Sequence, residues 1–480
     1  MFLTAPTARQ WFTLALDQLV EARARVDALN VFPVPDADTG TNVVLTLTAG
    51  ARRAAGVDDD DVGLLAAAVA EGALRGARGN SGIILAQSLQ ALARTFRGQR
   101  QVDAVLMVRA FDAMAQAAAG AIARPVEGTI VTVARAAADA ALALAPPLDL
   151  GTVVERAQQA AHDALRHTTD LLPALRGTGQ VDAGALVFVM LLDALAQVLQ
   201  VGVAPERTWF EAAAVGAAPE SSNRFEVMYL LTATHREAAR LRQRLNTVGD
   251  SVVVVGDDAG LWHVHVHVDH PADVLPPRQA SQVCVRELIP TRRAVGLVAA
   301  TAAPGLLEPL ARAGAVAVLD PDRAALVRAV QDAATPQVVV LPGSEEIAAA
   351  ARGAAADPAL EGIEVEVAST RSALAVYEAA ALLQVAPDLD VAGVLGRAGD
   401  LAIARLDGAD GAALDDAVDR QAALLGESHP AVVSILVGSA VGAHRAARRL
   451  RDLVASACPG VETYVIAGGQ RWPVLEVAAQ

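Results

Sequence analysis

The sequence predicts a multidomain fold: an N-terminal all-α bundle of eight helices, a small α+β middle domain and an α/β C-terminal domain. Three patterns along the 480 residues predict it. Apolar residues recur at helical spacing through residue 201. β-branched runs with strand alternation occupy 223–290. From 294 to 480 short apolar runs alternate with alanine-rich helical stretches.

The eight helical segments fall at about 7–29, 41–55, 61–75, 80–97, 101–123, 128–145, 151–170 and 181–201, with glycine, proline or aspartate at most breaks. Short connections favour antiparallel neighbours in an up-and-down arrangement. A linker at 202–222 separates this region from the middle domain. There "FEVMYLLT", "SVVVVGD", "LWHVHVHV" and "VCVREL" read as strands, and "HREAARLRQRLNTV" as a helix between the first two. In the last region "AVGLVAA", "AVAVLD", "QVVVLP" and "EVEVAS" read as strands, each followed by a helix. "AVVSILVGS" and "VETYVIAGG" continue the alternation, the signature of a mainly parallel sheet.

Composition narrows the function. The net charge of −15 disfavours nucleic-acid binding, because phosphates are repelled. No window is apolar enough for a membrane span, and the N-terminus lacks the layout of a signal peptide. Two distant cysteines, Cys284 and Cys458, imply no disulfide framework, so a soluble cytoplasmic protein is expected. All 39 basic residues are arginine. A P-loop lysine and a Schiff-base lysine are therefore impossible, and phosphate chemistry must use metal ions, backbone N–H groups, hydroxyls or arginine.

The densest polar segment is "NVFPVPDADTGTN" (30–42), which holds Asp36 and Asp38 on a proline- and glycine-shaped turn. Two carboxylates so close repel each other unless a cation lies between them, and hard oxygen ligands suit Mg²⁺. In an up-and-down bundle the even-numbered helices start at one end. Those starts are "DTGTN" (38–42), "RGNSG" (78–82), "EGTI" (127–130) and "QVDAG" (180–184). Helix N-termini bind anions, so four of them beside two aspartates make a nucleotide–metal site. Taken singly, Asn80, Ser81 and Thr129 read first as ordinary caps.

These segments, "NVFPVPDADTGTN" with "GARGNSGIILAQ", "EGTIVTVARAAADAA" and "VDAGALVF", resemble the nucleotide-binding domain of the dihydroxyacetone kinase family. The chain as a whole is similar to the ATP-binding kinase subunits of bacterial fatty acid kinases. The resemblance implies an eight-helix barrel in which aspartates hold two Mg²⁺ ions against ATP. It implies Asp36 and Asp38 as catalytic metal ligands, with Asn30 near a further ligand position. Gly40, Thr41, Asn42, Asn80, Ser81 and Gly82 would lie at the phosphates, and Thr129, Asp182 and Gly184 would complete the nucleotide pocket. The family usually has glycine between the two aspartates, where this chain has Ala37. If residue 37 needs a positive φ, alanine costs on the order of 1 kcal/mol, too little to abolish metal binding.

The resemblance further implies phosphoryl transfer to a fatty acid held by a separate carrier protein, giving an acyl phosphate. A carboxylate acceptor is ionised at pH 7 and needs no general base. The alternatives are a kinase for a small dihydroxyacetone-like substrate and a non-catalytic nucleotide-sensing scaffold. The C-terminal region, with "EVEVASTRSALAVYEAA" and "GGQRWPVLEV", resembles a carrier-docking or dimerisation domain, and a homodimer is expected.

"LWHVHVHVDHP" places His263, His265 and His267 on one strand face. They read either as a Zn²⁺ site or as partly exposed polar residues of an edge strand. The resemblance matches His265 and His267 with a family cysteine from an earlier strand, where this chain has Glu226. A carboxylate and two histidines form a workable Zn²⁺ set, and Glu226 could instead serve as a base.

Overall fold

The computed structural model describes residues 1–32, 35–57, 60–122, 125–202, 223–257, 259–275, 280–288, 294–385, 393–394, 396, 398, 401–408 and 411–480. Pro33 of the carboxylate turn and nearly all of the expected linker lie outside the described residues. The chain forms two compact units, residues 1–223 with 231–267 and residues 224–230 with 268–480.

The first unit contains α1 (Ala5–Ala28), α2 (Thr39–Ala54), α3 (Val62–Gly76), α4 (Gly79–Phe96), α5 (Ala104–Ala121), α6 (Ile130–Leu142), α7 (Leu150–Leu171) and α8 (Ala183–Val198). Each lies within a few residues of its expected segment. Two short strands, β1 (Leu3–Thr4) and β2 (Gln101–Val102), pair antiparallel beside them. Aspartate sets four of the helix starts. Asp61, Asp103, Asp149 and Asp182 accept hydrogen bonds from the N–H groups of Leu64, Leu106, Thr152 and Ala185, satisfying donors that the first helical turn leaves unpaired. Each helix packs on the next, and α8 packs back on α1. The Trp11 indole N–H donates to the Leu191 carbonyl at 2.8 Å across that closing contact. Alanine is frequent in this core because it lets helix backbones approach closely at little side-chain entropy cost.

The strand β3 (Phe225–Thr232) leads out of this unit's numbering and back, its residues 225–230 lying in the second unit. The first unit then continues into α9 (His235–Val248), β4 (Asp250–Gly256) and most of β5 (Leu261–Val268); β4 and β5 pair antiparallel. A Thr234–Glu237 capping box starts α9. Val253 and Val255 of β4 join the helical core, and Val253 forms an antiparallel bridge with Ile122 just beyond α5. The strand pair is therefore fixed to the helices that carry the site.

The second unit holds β6 (Ala280–Glu287), β7 (Gly296–Thr301), β8 (Val316–Leu319), β9 (Gln337–Pro342) and β10 (Glu364–Val367). They are ordered β10–β9–β7–β8–β6, followed by β3. The pairs β10–β9, β9–β7 and β7–β8 are parallel, and the crossover connections that parallel strands need run through α10 (Leu307–Arg312), α11 (Arg323–Asp332) and α12 (Glu345–Ala355). Helix α13 (Ala373–Val385) follows β10. A second sheet is ordered β11 (Ile403–Leu406), β14 (Leu475–Ala479), β12 (Val432–Val437), β13 (Glu462–Ala467). It packs on α14 (Gly411–Ser428) and α15 (Ala443–Ala457).

Two features differ from the sequence expectation. The strand β6, grouped by pattern with the middle segment, pairs antiparallel with β8. The C-terminal region contains two sheets rather than one, and β14 runs antiparallel to both its neighbours. Alternation identifies a strand and its buried face but carries no information about its partner, which long-range packing decides.

Candidate active site

The carboxylate turn leaves α1, reverses and enters α2. Between the two aspartates Ala37 has φ 55°, a left-handed conformation that disfavours a Cβ, so the backbone spends strain to hold this turn. Asp38 is the N-cap residue of α2, but its side chain makes no capping hydrogen bond. Asn30 is buried and organises the turn: its Nδ2 donates to Asp36 Oδ1 at 2.9 Å, and its Oδ1 accepts from the Thr39 hydroxyl. Thr39 Oγ1 in turn lies 3.5 Å from Ser81 Oγ at the start of α4. The sequence-predicted Asn30, Asp36 and Ser81 thus meet through Thr39. Asp36, Asp38 and Asn30 carry hard oxygen donors, of which the Asn30 oxygen here accepts from the Thr39 hydroxyl.

A third carboxylate, Asp27 in the last turn of α1, is absent from the sequence reading. It accepts the Thr41 backbone N–H and the Thr41 hydroxyl, both at 2.8 Å, and the Gly40 N–H. Asp27 is therefore the surrogate cap of α2. Burial pushes its pKa up, the bonds from Thr41 oppose this, and the nearby charge of Asp38 raises it further. One sequence signal pointed to it. An acid in a helix's last turn opposes the helix dipole, so Asp27 requires a partner elsewhere. The hydroxyl of Thr41, expected at the phosphates, is directed to Asp27. Gly40 serves packing: a Cβ there would lie 2.4 Å from the Arg23 carbonyl, so only glycine lets α2 start this close to α1.

At the start of α4, Gly79 has φ 52°, and a Cβ on it would lie 2.4 Å from Asn42 Nδ2. This close approach buries Asn42. Gly82 faces the Thr46 hydroxyl of α2 in the same contact. The buried N-cap Thr129 of α6 donates to the Val126 carbonyl at 2.8 Å.

Asp182 has the most perturbed environment of the expected residues. It is buried, and its carboxyl accepts the Ala185 N–H of α8 at 2.7 Å, with the N–H groups of Gly184 and Ile130 near enough to favour its charged form. Burial dominates over these bonds and moves its pKa from 3.8 up to about 7. One internal carboxyl thus caps the start of α8 and lies close to the start of α6.

Asn80, Ser81, Thr129, Asp182 and Gly184 line one cavity of about 220 Å³. Ile84, Ile122, Val126 and Ile130 add apolar wall. Among the described residues Asn80 Oδ1 is a buried acceptor without a hydrogen-bond partner.

The histidine strand is buried rather than partly exposed: His263, His265 and His267 are 1, 1 and 3% accessible. The imidazoles of His265 and His267 meet Nε2 to Nε2 at 3.0 Å, and His267 Nδ1 lies 3.5 Å from Asp250 Oδ1. Glu226 lies in the second unit, where its carboxylate is paired with the Arg286 guanidinium. That partner was not anticipated from sequence.

A family model described as the DAK2 domain matches residues 33–197, and one for the middle domain of FakA-like fatty acid kinase chains matches residues 222–281. Protein YloV of Bacillus subtilis is 30% identical over 400 residues, covering 74% of this chain and 72% of that one. An uncharacterised protein of Staphylococcus epidermidis is 32% identical over 271 residues, 52% of this chain and 48% of its own, so the match spans about half of that relative. Among solved structures, the dihydroxyacetone kinase of C. freundii in complex with AMP-PNP and Mg²⁺ is 20% identical, with TM-score 0.30. It covers 39% of this chain and 33% of its own. A DegV family protein of Corynebacterium glutamicum is 16% identical with TM-score 0.29, over 39% of this chain and 97% of its own. From the extent of the YloV match and the order of its two matched domains, the chain belongs to the family of DAK2-domain proteins with a FakA-like middle domain.

Proposed function

We propose that the chain is the ATP-dependent kinase subunit of a fatty acid kinase-like system. The observation that carries this reading is the strained Asp36–Ala37–Asp38 turn, joined through Asn30 and Thr39 to Ser81 at the start of α4. Such a turn holds oxygen ligands beside a helix N-terminus, the combination that a metal-bound polyphosphate needs. Asp36, Asp38 and Asn30 would hold Mg²⁺, and bound Mg²⁺ would supply charge neutralisation at the phosphates. Asn80 and Ser81 supply hydroxyl, amide and backbone donors for the phosphates in a chain without lysine.

In the reaction a fatty acid carboxylate oxygen forms a bond to the γ-phosphorus of ATP while the bond to the β–γ bridging oxygen breaks. ADP leaves and an acyl phosphate remains. The carboxylate is already ionised, so no residue need remove a proton. Residues 1–201 would be the nucleotide-binding domain, with the eight-helix barrel of the dihydroxyacetone kinases as its frame. Residues 223–290 would form the middle domain, and 294–480 would dock the fatty-acid carrier protein or a second copy. The proposal needs no zinc.

A second reading, a kinase for a small hydroxylated acceptor, has one observation in its favour. Asp182 lines the cavity, and its pKa of about 7 suits a general base, which a hydroxyl acceptor requires.

The deciding experiment measures ATP consumption with Mg²⁺, a fatty acid and a fatty-acid-binding carrier protein, each omitted in turn, and with dihydroxyacetone instead. Turnover that needs all three components is expected. Turnover with dihydroxyacetone alone would move the assignment to the second reading. In parallel, Asp38→Ala should lose Mg²⁺-dependent ATP binding with helical circular dichroism unchanged, and unaltered ATP affinity would refute the metal assignment.

A further inference from the structure

The cavity that holds Asn80, Ser81, Thr129 and Asp182 is not closed by the helical domain alone. Its remaining wall comes from the end of α9 and the start of β4: Asn246, Gly249, Asp250, Ser251, Val252 and Val253. This wall lies within the first unit and is tied down by the backbone bridge between Val253 and Ile122.

The wall is also the irregular part of its strand. Asp250 pairs with His267 and Val253 with His265, so the register shifts between them and β4 carries an extra residue there. Ser251, inside the bulge, has φ 51° although it is not glycine. A bulge re-aims side chains and interrupts the ladder, and strain of this kind persists where the surroundings over-determine it. Here both occur on the wall of a cavity that the starts of α4, α6 and α8 also line.

We propose that the β4 bulge is the nucleoside-recognition element of the site, an inference that rests on the nucleotide-binding reading above. The cavity matches a nucleoside in chemistry. Ile84, Ile122, Ile130 and Val252 offer apolar surface to a flat heterocycle, while Asp250 offers carboxylate oxygens to ribose hydroxyls. Asp250 accepts from Asn223 Nδ2 at 2.6 Å and faces His267 Nδ1 at 3.5 Å. Its side chain is 46% accessible, consistent with a group that can reach a ligand. The middle segment thus reads the nucleoside and the helical segment takes the phosphates.

The test is calorimetric binding to the full chain with Mg²⁺, comparing ATP, 2′-deoxy-ATP, 3′-deoxy-ATP and inorganic tripolyphosphate. Asp250→Ala should weaken ATP about tenfold or more and abolish the preference for ATP over at least one deoxynucleotide. Val252→Ala should weaken ATP and both deoxynucleotides alike. Tripolyphosphate affinity should change less than about twofold in either variant, and this retained binding also reports an intact fold. ATP affinity unchanged in both variants would overturn the proposal. So would a parallel loss of ATP and tripolyphosphate, which would make the wall merely structural. Wild-type protein that binds neither probe would instead overturn the nucleotide-binding reading, and this inference with it.

Discussion

Asp182 makes the stability of the first unit depend on pH in a direction that can be worked out. Its pKa rises from 3.8 to about 7 because the carboxyl is buried. Between those values the folded chain keeps the proton and the unfolded chain has lost it. The stabilisation is therefore complete below about 3.8, declines as pH rises through about 7, and is absent above. Three pKa units at 1.36 kcal/mol each make this on the order of 4 kcal/mol. Asp182→Asn keeps a carbonyl oxygen for the N–H groups of Ile130, Gly184 and Ala185 but cannot ionise. The assay is thermal unfolding of ligand-free protein at half-unit steps from pH 5 to 8, recorded as variant minus wild type. Titration of Asp27 and of every other shared group cancels in that difference. The variant should gain on wild type as pH rises from 5 to about 7, by about 3 kcal/mol and hence roughly 5–10 °C in midpoint. A difference independent of pH would refute the argument, because it would mean that the buried carboxyl does not change its charge in this window.

Two further outcomes are expected. Ala37→Gly removes the Cβ that a φ of 55° disfavours and should raise stability by about 1 kcal/mol in denaturant unfolding, with Mg²⁺-dependent ATP binding retained. Asp193→Ala removes the oxygen that accepts from Gln158 at 2.7 Å and meets His162 at 2.8 Å inside the α7–α8 contact. Removing this shared buried acceptor should destabilise by about 2–4 kcal/mol, read from the same unfolding curves.

What the sequence made legible has a common physical origin. The helices could be read because aspartate caps such as Asp61, Asp103, Asp149 and Asp182 immediately precede apolar repeats, and both signals are local. The Asp36–Asp38 turn could be read because its proline, glycine and acid content is local too. The role of Asp27 could not, because it depends on α1 docking against α2, which brings Thr41 to a residue fourteen positions earlier. The same limit applies to β6. Its alternation marks a strand but does not reveal that Cys284 sits opposite Val318 rather than beside the middle strands. Asp250 begins a strand in sequence and borders the site only because β4 bridges to Ile122. Burial of the three histidines likewise comes from packing, since the pattern "HVHVH" suits an exposed edge equally well.

The caps also alter the argument for phosphate binding. Four helix starts suggested four sources of N–H donors, but carboxyls of the chain itself lie against three. Asp27 takes the Thr41 N–H of α2, and Asp182 takes that of Ala185 at α8 and lies near that of Ile130 at α6. The start of α4 differs: its N-cap is Arg78, with no side-chain capping bond. A polyphosphate placed here would meet one uncapped helix start and the carboxylates Asp27, Asp36 and Asp38 in a chain of net charge −15. Without a cation the carboxylates prevail, since helix-terminus effects amount to about 1 kcal/mol each while adjacent full charges repel at least as strongly. On the proposed reading a divalent metal would therefore be required for the phosphates to bind, and Asp36 and Asp38 would be the residues to hold it. The helix ends would then fix the shape of the site, and the cation its sign.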